Sequence, residues 1–218
     1  MKISILGAGD MGAGLACLWA RAGHEVTISS RTPSTAVAVA SRTSYGVRVS
    51  TLRQAAESAD VIALATRFEA IDAVLAQTGD LEGRVVIDMT HPFGHDGDGH
   101  ATRLVSPDAS ASSWLAARVP KARIVKAFST VQARFLTPGA QRCDGLPLAV
   151  YYCGDDAAAR RAVGELISDS GFAPVDIGLL RHAGELEPGG RLYRVGLVNA
   201  RAARELSALH LARNSWAA

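Results

Sequence analysis

Cysteine is scarce in this chain. The three residues present, Cys17, Cys143 and Cys153, cannot all pair with one another, and their spacing matches no zinc-binding pattern. The expectation is buried, reduced thiols in a cytoplasmic protein. An excess of charge is missing too. Lys plus Arg number 23 and Asp plus Glu 21, a formal net charge of +2. That balance argues against a nucleic-acid binder held by a broad basic surface. No stretch approaches the roughly 18 uncharged apolar residues that a membrane span needs. The apolar run Ile3 to Leu6 breaks at once on glycines, so it has no signal-peptide layout. There is no internal repeat, no G-x-S-x-G elbow and no P-loop lysine after the glycines. What remains is a 218-residue chain with 48% apolar and 20% charged residues, the profile of a folded globular protein.

Short apolar runs alternate with helical patterns through the first half, the sign of βαβ units and a parallel sheet. Strands are predicted at Lys2 to Leu6, Glu25 to Ser30, Val47 to Val49, Val61 to Thr66, Val85 to Met89 and Arg123 to Phe128. Met11, Leu15, Leu18, Trp19 and Ala22 share one helical face, and Gly23 ends that helix. Phe93 to Ser113 is rich in Gly, Asp, His and Ser and reads as a mobile loop before a helix at Trp114 to Val119. After Thr130 the pattern changes. A strand at Leu148 to Cys153, a helix capped by Asp155 and a strand at Phe172 to Ile177 follow. A helical tail is predicted from Arg191 to Ala212. The fold class is therefore α/β: a doubly wound, mostly parallel sheet with a small C-terminal α/β extension ending in a helix. The boundary falls near Val131, giving a larger domain over 1–130 and a small extension over 131–218.

Gly7-Ala8-Gly9-Asp10-Met11-Gly12 follows the first strand and opens the first helix. In that context a G-x-G-x-x-G string binds a dinucleotide. Gly7 permits the tight turn, Gly9 lets a pyrophosphate approach the backbone, and Gly12 allows close helix–strand packing. Free N–H groups at the helix start face the anion. The end of the second strand selects the dinucleotide. An NAD site usually has an acid there; this chain has Ser30-Arg31-Thr32. Arg31 can hold a 2′-phosphate by charge and planar donors, with hydroxyls from Ser30 and Thr32. The expected cofactor is NADP(H).

The ends of the later strands line the ligand crevice of an open parallel sheet. They place Thr66-Arg67-Phe68, Thr90-His91-Pro92 and Ala127-Phe128 against the cofactor, with Ser129 next in line. His91 can hydrogen-bond a nicotinamide or polarise a substrate. His91, His95 and His100 crowd one loop with Asp96 and Asp98, but the spacing fits no metal motif, and no metal is expected. Lys126 has two readings: a catalytic amine with a lowered pKa, or a lysine paired at the sheet edge, which is favoured.

These residues resemble the F420-dependent NADP oxidoreductase family over most of the chain. The resemblance rests on Gly7-x-Gly9-x-x-Gly12, Ser30-Arg31, Asp88-Met89-Thr90-His91-Pro92 and Lys126-Ala127-Phe128-Ser129-Thr130. Cys153-Gly154-Asp155-Asp156, Val175-Asp176-Ile177-Gly178 and Leu186-Glu187-Pro188 extend it. It implies a Rossmann-type domain with a C-terminal extension that completes a second pocket. It also implies a homodimer and hydride exchange between NADPH and the deazaflavin coenzyme F420 or a flavin-type acceptor. His91 and Ser129 are the catalytic candidates; many relatives carry Asn at either position. The expected partner is a small redox molecule, with neither nucleic acid nor membrane. Two other readings stay open: reduction of a small carbonyl or imine, with His91 as proton donor, and an NADPH-binding module without turnover. A methyltransferase usually keeps an acid after the second strand, so Ser30-Arg31 argues against it.

Overall fold

The computed structural model describes residues 1–95, 97–195, 198–203 and 205. In chain order it forms β1 (Lys2–Leu6), α1 (Asp10–Arg21), β2 (Glu25–Ser29), α2 (Pro33–Arg42), β3 (Arg48–Val49), α3 (Leu52–Ser58) and β4 (Val61–Leu64). A 3₁₀ turn at Phe68–Ala70 leads into α4 (Ile71–Thr78), followed by β5 (Val85–Asp88). Next come β6 (Phe93–His95), β7 (Ala101–Arg103), α5 (Ala111–Arg118) and β8 (Arg123–Lys126). The C-terminal part adds β9 (Arg142–Cys143), β10 (Leu146–Pro147), β11 (Ala149–Gly154), α6 (Ala157–Asp169), β12 (Ala173–Asp176) and α7 (Arg191–Val195).

Eight strands make one sheet in the order β12-β11-β8-β5-β4-β1-β2-β3. From β8 to β3 every pairing is parallel. This is the doubly wound order of a Rossmann sheet, with the strand order reversing between β1 and β4. The central strands are buried on both faces, which is why they read as unbroken apolar runs. One face packs Leu15, Leu18 and Trp19 of α1 and Val163 and Leu166 of α6. The other packs Ala55 of α3, Ile71 and Val74 of α4 and Leu115 of α5. Trp19 is fully buried, and its indole N–H donates to the Leu166 carbonyl at 3.0 Å, satisfying its one polar atom.

Several expectations are corrected. The stretch after Phe93 is not an irregular loop throughout: β6 and β7 pair as an antiparallel hairpin, Phe93 opposite Arg103. Helix α5 starts at Ala111, three residues before the predicted start, because Ser110 and Ser113 cap it reciprocally. Asp156, rather than Asp155, caps α6, accepting from the Ala159 N–H. Cys143 is exposed on β9, so not all thiols are buried. Lys126 lies inside the sheet, because β11 pairs antiparallel to β8 beyond it. The single helix predicted over Arg191 to Ala212 is interrupted: α7 ends at Val195, and Asn199 forms an antiparallel bridge with Leu148; Leu197, Leu206 and Leu209, like Asp96 and His210, lie outside the described residues.

Candidate functional site

The carboxyl ends of β1, β2, β4 and β5 open on a crevice made of two joined cavities. The first, about 380 Å³, is lined by Gly7, Ala8, Gly9, Ser30, Arg31, Thr66 and Arg67, with Ala70 and Val74 at the back. The second, about 410 Å³, is lined by Thr66, Arg67, Phe68, Met89, Thr90 and His91, with Phe93 and Pro188 opposite. Thr66, Arg67 and Glu69 belong to both.

The glycine string takes three distinct positions. Gly7 has φ +127°, and a Cβ there would run into the Ala65 carbonyl. Its N–H donates to the Ser29 carbonyl at 2.8 Å, tying the turn to β2. At Gly12 a Cβ would meet the Gly7 carbonyl, so the helix can press on the strand only with glycine here. Gly9 is different: a Cβ would meet nothing within 4 Å. It is also the N-cap of α1, and no side chain caps that helix. The backbone donors at the helix start are thus presented over an open cradle, which suits a pyrophosphate.

Arg31 is exposed at the mouth of the first cavity and has no ion-pair partner among the described residues. Ser30 Oγ accepts from the Thr32 N–H at 3.3 Å, and Thr32 is the N-cap of α2. No acid stands at this strand end, so the donor set fits a 2′-phosphate. Arg67 pairs with Glu69 at 3.7 Å and is largely exposed.

Below the second cavity lies a buried charged cluster. Lys126 Nζ, fully buried, donates to Asp88 Oδ2 at 3.2 Å, to Glu187 Oε1 at 3.0 Å and to the Thr90 carbonyl. Asp88 also accepts from the Thr90 N–H at 2.9 Å, the Thr90 hydroxyl at 2.7 Å and the Ser112 hydroxyl at 2.5 Å. Burial alone would raise the Asp88 carboxyl; the Lys126 charge and these hydrogen bonds outweigh it and hold it below the usual carboxylate range. His91 stands edge-on to Tyr193, with ring centroids 5.3 Å apart. Burial, then the Lys126 charge, pushes its imidazole down to about 4, so it is neutral at physiological pH. Its Nδ1 is buried with no hydrogen-bond partner among the described residues.

The remaining sequence candidates line neither cavity. Asp10 is exposed on the first turn of α1, and Met11 packs on the core. Pro92 and Ala127 are buried. Phe128, at φ +60°, turns its ring into the core against Trp19 and Phe172. Ser129 Oγ donates to the Leu186 carbonyl at 3.1 Å, which ties the end of β8 to the C-terminal part. Sequence reasoning passed over Asp88 and Glu187 as site groups. The Asp at the end of β5 was the available signal; Glu187 reaches the cluster only through the tertiary fold. Among the described residues, no three His, Cys, Asp or Glu side chains come together as a metal site. No helix of the described residues is long and apolar enough to cross a membrane.

The sheet order and the glycine turn at its first strand are those of a Rossmann-type α/β protein. Residues 2–92 match the family model described as NADP oxidoreductase, coenzyme F420-dependent. The chain is 33% identical over 201 residues to the F420-dependent NADP reductase of Methanothermobacter marburgensis, covering 86% of this chain and 88% of that one. It is 30% identical over 186 residues to metalloreductase STEAP3 of Rattus norvegicus, covering 85% of this chain but 36% of that one. The chain therefore spans about a third of the length of that metalloreductase. The crystal structure of a hypothetical protein from Sinorhizobium meliloti superposes with a TM-score of 0.77 at 29% identity, covering 87% of this chain and 91% of that one. The chain belongs to the F420-dependent NADP oxidoreductase family, and thereby to the NADP-dependent oxidoreductases.

Proposed function

We propose that this protein transfers hydride between NADP(H), held in the crevice, and a deazaflavin or flavin-type ring laid against the nicotinamide. The observation that carries the reading is the open cradle at Gly9 joined to an acid-free strand end, with Arg31 free of ion pairs among the described residues. In this reading Gly7 to Gly12 hold the pyrophosphate, and Ser30, Arg31 and Thr32 hold the 2′-phosphate. Thr66, Arg67, Phe68, Thr90 and His91 then line the nicotinamide half.

Bound NADPH supplies the hydride, and the protein supplies alignment, which accounts for much of the rate of such a transfer. Neutral His91 shapes the ring pocket without adding charge next to a nicotinamide that becomes cationic on oxidation. Ser129 positions the segment around Leu186, and residues 131–218 complete the pocket of the second ring. The F420-dependent NADP reductase of M. marburgensis supports the deazaflavin as acceptor by its length as well as its identity.

The test mixes the pure protein with NADPH and oxidised coenzyme F420, with FMN and a no-acceptor control alongside. Loss of the deazaflavin band together with NADPH absorbance is the expected result. Tight NADPH binding with no loss of any acceptor band would remove the deazaflavin and flavin assignment.

A further inference from the structure

Lys126 sits inside the sheet, with Asp88 of β5 as its register partner on one side and Cys153 of β11 on the other. Its side chain is fully buried. Stability alone does not explain a lysine there. Buried ion pairs and triads replaced by apolar side chains of similar volume often leave a protein equally or more stable.

The acceptors of the ammonium show what it connects. A lysine carries three N–H donors. Here they meet three acceptors: the Thr90 carbonyl, Asp88 Oδ2 at 3.2 Å and Glu187 Oε1 at 3.0 Å. Asp88 in turn holds Thr90 a second time, accepting from its N–H at 2.9 Å and its hydroxyl at 2.7 Å. Thr90 and His91 line the nicotinamide half of the crevice, and so does Pro188, the residue after Glu187. One buried cation therefore ties two lining segments that come from distant parts of the chain. The Leu186–Pro188 segment has two further ties. The Ser129 hydroxyl donates to the Leu186 carbonyl at 3.1 Å, and the Ala111 N–H donates to Glu187 Oε1 at 2.8 Å. Of these three ties, the one through Lys126 also reaches Thr90.

We propose that Lys126 is a positioning residue for hydride transfer. It fixes the Thr90–His91 segment and the Glu187–Pro188 segment at one spacing, and so holds the nicotinamide with a single face toward the acceptor. This rests on the reading that the nicotinamide occupies the second cavity. Lys126 touches neither ring, and no bond to it forms or breaks. The hydride, with its electron pair, passes from NADPH to the acceptor carbon. The contribution of Lys126 is alignment, and a misplacement of about 1 Å in such a transfer can cost about a hundredfold in rate.

The test uses the full chain and three variants. Lys126→Met removes the tie. Asp88→Asn/Lys126→Met/Glu187→Gln removes it without leaving carboxylates unpaired, and it carries the same measurements if the single variant fails to fold. Trp19→Phe is the control for lost stability elsewhere, since it removes the bond to the Leu166 carbonyl on the face of α1 and α6. NADPH affinity is measured by titration. The fluorescence lifetime of the bound nicotinamide reports how firmly the ring is held. Single-turnover oxidation of NADPH, deuterated on either C4 face, is followed with oxidised F420 or FMN as the acceptor probe.

Both Lys126 variants are expected to bind NADPH with wild-type affinity, because the glycine turn and Arg31 line the other cavity. Their nicotinamide lifetime should fall toward that of free NADPH. The transfer rate should drop by about a hundredfold, and deuterium should leave from both faces. Trp19→Phe should melt earlier than wild type yet keep the lifetime and one-face transfer. Lys126 variants with a wild-type lifetime and one-face transfer overturn the proposal. So does a Trp19→Phe that changes both readouts as they do, because the loss is then one of stability alone. A wild type whose nicotinamide lifetime does not change on binding overturns the placement of the ring, and this inference with it. A wild type that reduces neither probe overturns the acceptor reading, and the lifetime still decides the role of Lys126.

Discussion

At Arg31 the guanidinium lies exposed beside the cradle and is free of ion pairs among the described residues, so its charge is available to a phosphate. Arg31→Ala is expected to weaken NADPH by about tenfold or more while leaving NADH nearly unchanged, as a charge-assisted contact to one phosphate predicts. Calorimetric titration with both nucleotides checks this; equal losses would contradict it. At His91 the imidazole is held neutral, its pKa pushed from 6.5 to about 4. The unfolded chain therefore binds a proton that the folded chain refuses between these values. Stability from neutral His91 is present above about pH 6.5 and is lost as pH falls toward about 4, at a cost of about 1–3 kcal/mol. Urea unfolding at both ends of this window should show the loss, and His91→Asn should flatten it. Both residues were legible in the sequence, since each ends a strand of recognisable pattern. The neutral state of His91 was not, because it depends first on burial and then on the Lys126 charge, and both come from the tertiary fold.

The β1–turn–α1 element was readable because all its signals are local: a buried strand, a glycine string and an apolar helical face. Its glycines are expected to separate folding from binding. Gly9→Ala meets open space and should leave the melting temperature nearly unchanged while abolishing tight NADPH binding. Gly12→Ala meets the Gly7 carbonyl and should destabilise the fold itself, by about 1–3 kcal/mol. Thermal unfolding beside NADPH titration distinguishes the two. The β9–β10 hairpin was missed although Asp144-Gly145 is a local hairpin signal; both residues have positive φ, 50° and 74°. The buried cluster was missed for a different reason. Lys126 and Glu187 are 61 positions apart, and no local pattern pairs them. Lys126→Met leaves both carboxylates without their cation and is expected to cost about 3–5 kcal/mol. Adding Asp88→Asn and Glu187→Gln should return part of that stability. If denaturant unfolding of Lys126→Met matches wild type, the cluster carries no such energy.

Across the whole molecule, the parallel order from β3 to β8 followed from the alternation of strand and helix. The direction of β11 did not. It enters beside β8 and runs antiparallel to it, a choice made by the path through residues 131–148 rather than by the strand's own residues. That reversal continues the same sheet into the C-terminal βαβ unit and buries Lys126 between strands. It also leaves the Leu186-Glu187-Pro188 segment over the end of β8, where Ser129 and Lys126 bond to it. The proposed reaction depends on this arrangement, because Pro188 of that segment lines the nicotinamide half of the crevice. Direct transfer is tested most plainly with NADPH deuterated at the nicotinamide C4 position, mixed with the protein and oxidised F420, and the mass of the reduced acceptor measured. One deuterium per molecule of reduced acceptor, from one of the two C4 faces only, is the expected result. Reduced acceptor carrying no deuterium from either face would contradict hydride transfer between two rings held in this crevice.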